Sequence, residues 1–220
     1  MINCCIFDLD GTLLYTLGTI THYINLTLEK YGIEPICEDE CRRFIGDGAK
    51  LLIKRTLASK GIRDEALART ILAEYNSAYN QNTTYLTEPY EGIREMIEAL
   101  RARGVRLGVL SNKPMKTTEL VVEELFGKSF DFVMGASDGT ALKPAPDGLN
   151  IAMERLGVTP DTVMYIGDTG VDIKTGRAAG ASLTVGVSWG YRSKSSLTRC
   201  GAHIIVNSPL DIVKEVDLRA

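Results

Sequence analysis

The first residues able to do chemistry are Asp8 and Asp10, in the stretch MINCCIFDLDGTLLYT. An apolar run, 4–7, ends in two acids two positions apart, and Gly11 and Thr12 follow at once. Residues i and i+2 of an extended chain face the same way, so both acids can enter one site. Two carboxylates about 4 Å apart repel by roughly 1–4 kcal/mol. They tolerate each other when a hard cation bridges them or when one holds a proton. Gly11 permits close backbone approach, and the amides after it can point at an anion. Taken alone, the stretch also fits a helix-capping aspartate beside a turn aspartate.

Three later stretches add chemistry, two of them directly at the end of an apolar run. The run 105–110 terminates in Ser111-Asn112-Lys113, where a hydroxyl and an amide can hold oxyanion oxygens. Alone, that serine is equally a cap for the next helix. Thr140-Ala141-Leu142-Lys143-Pro144 places a lysine between a loop and a proline, where it can be held as a point charge for a phosphate. Tyr165-Ile166-Gly167-Asp168-Thr169-Gly170-Val171-Asp172 then puts two acids four apart at a helix start, on one helical face. A cap and a first-turn acid favoured by the helix dipole would suffice for this stretch by itself. Capping alone is a poor account of all four in this order.

The elements that must position these groups alternate along the chain. Apolar runs at 4–7, 105–110, 130–134, 162–166, 183–187 and 203–206 read as strands. Helical patterns lie near 91–103, 116–126, 147–156, 170–179 and 209–216. Strand–helix alternation with continuously apolar strands predicts an α/β fold, a doubly wound, mostly parallel sheet covered on both faces. In such sheets ligands bind beyond the carboxyl ends of the strands, where all four stretches fall. Residues 15–84 break the rhythm, with helical patterns at 20–31, 38–44, 50–60 and 63–79 and no strand. We expect a core of residues 1–14 and 85–220 with an inserted all-α cap, 15–84, able to close over the site and exclude water.

Composition narrows the function. The 220 residues carry a formal net charge of −3 and are 45% hydrophobic, which predicts a proper core and excludes the basic footprint of a nucleic-acid binder. No run approaches the roughly 18 apolar residues of a membrane span. Asp8 and Asp10 interrupt the first apolar stretch, so no signal peptide is expected. Five irregularly spaced cysteines read as reduced thiols, and the expected compartment is the cytoplasm.

FDLDGT, LSNK, ALKPAP and GDTGVD together resemble the four signature motifs of the haloacid dehalogenase superfamily. More narrowly, the chain is similar to phosphoglycolate phosphatase-like phosphohydrolases with a helical cap between the first two motifs. The resemblance runs from residue 5 to about 192 and includes VGVSWGYRS at 185–193. It implies a Rossmann-like core and phosphoryl transfer. Asp8 would be the nucleophile and form an aspartyl-phosphate. Asp10 would be general acid and then base, a residue that the superfamily's true dehalogenases lack. Mg²⁺ would be held by the Asp8 carboxylate, the Asp10 carbonyl and Asp168, with Asp172 in or near the outer shell. Ser111 and Lys143 would bind the phosphoryl group, assisted by Asn112, Gly11, Thr12 and the amides around them. One departure is Tyr15-Thr16, where many members carry an aliphatic residue and then Asp-Ser; it falls at the hinge into the cap.

The core reads only phosphate, so the cap must choose the leaving group. Its candidates are His22, Arg43, Lys50 and the Gly46-Asp47-Gly48 turn, with Arg43 or Lys50 able to meet a substrate carboxylate. The substrate implied is a small phosphorylated metabolite, 2-phosphoglycolate first. Pyrophosphatase, nucleotidase and sugar-phosphate phosphatase or phosphomutase activities are the alternatives, in a monomer or homodimer. A non-catalytic phosphate-sensing module would need neither the cap nor the acid–base Asp10.

Overall fold

The structure is a computed structural model that describes residues 1–219. The chain begins with β1 (Cys4–Phe7), all four residues buried. A two-residue strand, β2 (Leu14–Tyr15), leads into the insertion: α1 (Leu17–Glu29), α2 (Glu38–Phe44), α3 (Ala49–Ser59) and α4 (Glu65–Tyr79). β3 (Glu88–Pro89) returns the chain to the core. There follow α5 (Ile93–Ala102), β4 (Arg106–Pro114), α6 (Met115–Phe126), β5 (Phe132–Ala136) and α7 (Asp147–Leu156). The last elements are β6 (Val163–Gly167), α8 (Gly170–Ala178), β7 (Leu183–Val187), α9 (Lys194–Arg199), β8 (Ile204–Val206) and α10 (Pro209–Asp217).

Six strands form one parallel sheet in the order β5-β4-β1-β6-β7-β8. β1 lies between β4 and β6, where the winding reverses. That reversal opens the crevice in which α/β sheets place their ligands. Period-two alternation explains why β1 is apolar throughout. Cys5 and Phe7 face α5, α6 and α10, packing with Met96, Val121 and Ile212. Cys4 and Ile6 face α7, packing with Leu149, Ala152 and Leu156. Burial of each large apolar side chain contributes about 1.5–3 kcal/mol, so both faces anchor the strand whose end carries Asp8.

The insertion has a core of its own. Leu17, Ile24 and Leu28 of α1 meet Ile53 and Leu57 of α3 and Ile71 and Tyr75 of α4. Asp64 caps α4 by accepting from the amides of Ala66 at 2.8 Å and Leu67 at 3.0 Å. β2 and β3 pair antiparallel, Leu14 opposite Pro89 and Tyr15 opposite Glu88, so one ribbon ties the chain's exit from the core to its return.

Most elements fall near their expected positions, with informative differences. The strand expected at 105–110 continues to Pro114, so Ser111, Asn112 and Lys113 lie within β4 rather than after it. They are buried although polar, because each finds a partner at the site. The ladder to β5 is irregular between Leu110 and Pro114, a feature that re-aims side chains. β5 starts two residues later than the apolar run at 130–134. The ribbon and α9 have too few residues to show a period. Among the described residues no helix is long and apolar enough to cross a membrane.

Candidate active site

Asp8 follows the last residue of β1, and its amide continues the ladder to Ile166 O at 2.9 Å. Its Oδ1 accepts from the Leu9 amide at 2.7 Å and pairs with Lys143 Nζ at 2.8 Å. Asp168, just beyond β6, is fully buried. Its Oδ1 accepts from Thr12 Oγ1 at 3.2 Å and its Oδ2 from the Tyr191 amide at 2.8 Å. Asp172, in the first turn of α8, closes a capping box: its Oδ2 accepts from Thr169 N at 3.0 Å and Thr169 Oγ1 at 2.7 Å. Its Oδ1 receives Lys143 Nζ at 2.7 Å. Asp8, Asp168 and Asp172 each offer a carboxylate oxygen within 4.8 Å of the others. The acids at 8 and 168, distant in sequence, therefore share one site, as expected.

Three carboxylates against one ammonium leave two negative charges uncompensated in a dehydrated spot. Burial, then Asp172, raises Asp8 well above the usual carboxylate range, although Lys143 opposes it. Burial and Asp172 likewise push Asp168 to about 7, against the Tyr191 amide. Burial would lower Lys143, but Asp172 and Asp8 override it and hold the ammonium well above its ordinary value. An all-oxygen set with two surplus charges fits a hard divalent cation such as Mg²⁺.

Asp8 and Asp10 both line one cavity, but they belong to different groupings. Asp10 lies in the turn after β1, outside the carboxylate cluster, and faces its own lysine. Lys113 Nζ donates to Asp10 Oδ1 at 3.2 Å and Oδ2 at 3.3 Å. It also donates to Tyr79 Oη, from the end of α4, at 2.9 Å. Each acid thus meets its own cation, Lys143 or Lys113.

Three expected phosphate binders have partners within the protein. The Gly11 and Thr12 amides, expected to face an anion, are spent inside the turn on Leu14 O at 2.8 Å and Leu9 O at 3.2 Å. Gly11 matters for another reason: its φ is +83°, and a Cβ there would lie 2.4 Å from Asp168 Oδ2. Asn112 is a splint. Its Oδ1 accepts from Lys143 N at 2.9 Å, and its Nδ2 donates to Lys143 O at 3.0 Å and Gly46 O at 3.2 Å. Ser111 Oγ lines the cavity and accepts from Lys113 N at 3.2 Å.

The cavity between core and cap measures about 60 Å³. Asp8, Asp10, Ser111 and Lys113 form its floor, and Ile20, Ile45, Ala49, Leu52 and Tyr75 its roof. The Gly46–Gly48 turn reaches it, as expected. His22, Arg43 and Lys50 do not: all three are exposed and none lines the cavity. His22 instead stacks near Tyr85, with ring centroids 4.7 Å apart, on the cap's outer surface. Helical periodicity turns these polar side chains outward and sends the apolar stripe to the roof.

The turn at 45–48 is held from three directions. Arg192 donates to Arg42 O at 2.7 Å and Ile45 O at 3.0 Å, Asn112 to Gly46 O, and Arg55 pairs with Asp47 at 2.6 Å. Tyr191 joins the cap's apolar core and meets Thr16 N at 3.1 Å through its hydroxyl. Trp189 donates from Nε1 to Thr12 O at 3.0 Å. Sequence reading missed Lys113, Thr169, Tyr191 and Arg192. Each stands inside a quoted motif, so a signal existed; Lys113, Tyr191 and Arg192 meet partners far away in the chain, and Thr169 meets Asp172 three positions on.

A helical roof over acids gathered where a parallel sheet reverses its winding defines a capped α/β hydrolase. The family model of haloacid dehalogenase-like hydrolases matches residues 5–185, and the chain belongs to that family. It is similar to the phosphoglycolate phosphatase of Rhodospirillum rubrum, 33% identical over 92% of this chain and 86% of that one. It also resembles the N-acetylmuramic acid 6-phosphate phosphatase of Pseudomonas aeruginosa, 30% identical over 98% and 95% of the two chains. A crystal structure from Lactobacillus delbrueckii subsp. bulgaricus superimposes with a TM-score of 0.90 at 31% identity, covering 97% of this chain and 98% of that one.

Proposed function

We propose that the protein is a Mg²⁺-dependent phosphatase of a small phosphorylated metabolite, with 2-phosphoglycolate the preferred substrate. The observation that carries this reading is the group of Asp8, Asp168 and Asp172 within 4.8 Å, tied to Lys143 at the sheet's reversal point. The Asp8 and Asp168 carboxylates and the Asp10 carbonyl would hold the cation, with Asp172 beside them. When bound, Mg²⁺ neutralises these acids and polarises the phosphoryl oxygens.

A carboxylate oxygen of Asp8 attacks phosphorus and forms an aspartyl-phosphate while the bond to the leaving oxygen breaks. Asp10 gives its proton to that oxygen, and then takes one from the water that hydrolyses the intermediate. Ser111 and Lys143 grip the transferring phosphoryl oxygens. Asp172 and Asn112 keep Lys143 in place, one through its ammonium and one through its backbone. The apolar roof excludes bulk water around the scissile bond.

The size of the cavity supports a small leaving group: about 60 Å³ suits a two-carbon unit better than an amino sugar. The names of the Rhodospirillum rubrum relative and several others favour the same substrate. All five cysteines are free thiols, in keeping with a cytoplasmic protein. The test is phosphate release from 2-phosphoglycolate, pyrophosphate, nucleotides and sugar phosphates, with Mg²⁺ and with chelator. Chelator and Asp8→Asn should each abolish release. Turnover that survives Asp8→Asn would overturn the nucleophile, and silence across the whole panel would overturn the phosphatase.

A further inference from the structure

The site holds a second buried lysine that the reaction above leaves without a task. Lys113 is 7% exposed, and burying an ammonium is costly unless it is paired. It touches none of the three clustered acids. Its two ion-pair contacts go to Asp10, its third donor to Tyr79.

The whole residue is pinned. Lys113 N donates to Ser111 Oγ at 3.2 Å, and Lys113 O accepts from Thr118 Oγ1 at 3.2 Å. At the other end, Nζ stands 2.9 Å from Tyr79 Oη and 4.2 Å from the centroid of that ring. Tyr79 is 1% exposed, wedged between Tyr23 and Tyr75 in the core of the cap. The ammonium therefore has a fixed address, set by β4 on one side and α4 on the other. From there it meets both Asp10 oxygens at nearly equal distances, 3.2 and 3.3 Å, which fixes the carboxyl group in rotation as well as position. All three ammonium protons are engaged, so none is left over to grip a substrate.

We infer that Lys113 is the positioning residue of the proton donor, holding Asp10 against the departing oxygen from a point braced by Tyr79. The inference rests on the phosphatase reading above. In the first half-reaction the Asp10 O–H bond breaks and the proton goes to the leaving oxygen. That oxygen keeps the electron pair of the broken P–O bond. The carboxylate left on Asp10 is received by the Lys113 ammonium. In the second half-reaction the proton returns from water to Asp10.

The consequence is a dependence on the leaving group that a merely structural lysine would not produce. An alkoxide is a strong base and needs the proton; p-nitrophenoxide departs without it. The experiment compares kcat of the Mg²⁺-loaded enzyme, Lys113→Met and Tyr79→Phe on 2-phosphoglycolate, ethyl phosphate and p-nitrophenyl phosphate. Lys113→Met should lower kcat on both alkyl esters by about 10–100-fold, at or below the roughly 100-fold lower end of what general acid catalysis supplies. Its loss on the aryl ester should be at least about tenfold smaller. Tyr79→Phe keeps the ring and removes only the hydroxyl, so it should show the same pattern at about threefold, roughly one neutral hydrogen bond's worth. It also keeps the question open to test if Lys113→Met fails to fold. Equal losses on alkyl and aryl esters overturn the assignment. So does a rise in KM confined to 2-phosphoglycolate, which would make Lys113 the receptor of the substrate carboxylate. A wild-type enzyme inert on these esters and on the whole panel above overturns the phosphatase reading, and this assignment falls with it.

Discussion

Removing divalent cations should make the stability of this protein fall as pH rises. Asp168 is held at about 7, against an ordinary 3.8, chiefly by burial and then by Asp172. The folded chain therefore keeps a proton on Asp168 that the unfolded chain releases above about pH 4. Between about pH 4 and pH 7 the folded state binds more protons, so unfolding becomes easier with each step upward. The difference corresponds to on the order of 4 kcal/mol across the window. For a chain of this size, 1 kcal/mol moves Tm by roughly 2–4 °C, so the full window is worth about 10 °C. Asp8, also raised by burial and Asp172, acts in the same direction. His203 opposes them weakly: burial and Arg177 lower it, which favours the fold as pH rises. A His203→Gln background removes that contribution. Mg²⁺ competes with the protons, so its stabilisation should grow as pH rises. The assay is thermal unfolding at pH 5.5 and pH 8, in chelator and in millimolar Mg²⁺. Tm in chelator should fall with pH, the Mg²⁺ shift should be larger at pH 8, and Asp168→Asn should flatten both trends. A chelator Tm that is level or rising would refute the claim that these buried acids lack a compensating charge.

Four other outcomes follow from single contacts. Gly11→Ala puts a methyl 2.4 Å from Asp168 Oδ2 at a φ of +83°, and should lower Tm and cut phosphate release at least about 100-fold, since the strain falls on the site itself. Asp172→Asn removes the charge that anchors Lys143 at 2.7 Å, and should lower kcat by about 10–100-fold while circular dichroism stays unchanged. Arg192→Ala loses two hydrogen bonds to the cap turn; KM should rise about 3–10-fold and limited trypsin digestion near residues 42–50 should speed up. Arg43→Ala and Lys50→Ala, both exposed and away from the cavity, should change kcat/KM by less than about twofold, as surface substitutions do.

Much of this protein could be read from its residues in order. The runs 4–7 and 183–187 are apolar throughout because strands buried on both faces admit nothing else, so the parallel sheet was legible. Asp8, Ser111 and Asp168 were legible as candidates because each follows, or nearly follows, an apolar run, and Lys143 because it stands between a loop and a proline. Local order also marked α7, expected at 147–156 and found as Asp147–Leu156.

What local order left open was decided by contacts between distant residues. The pairing of Asp10 with Lys113 depends on β4 running on to Pro114 beside the turn after β1. Asn112 became a splint only once the Lys143 loop reached it, 31 positions along the chain. The cap cations looked suited to a substrate because their charge can meet a carboxylate. That charge does not show which face turns inward. The apolar stripe settled that by packing over the core, leaving Arg43 and Lys50 in water and bringing Leu52 and Tyr75 over the site. Sequence by itself determined which elements form and which acids are available. Tertiary structure decided which lysine meets which acid, because a buried charge is tolerable only beside a partner that the chain must fold to supply.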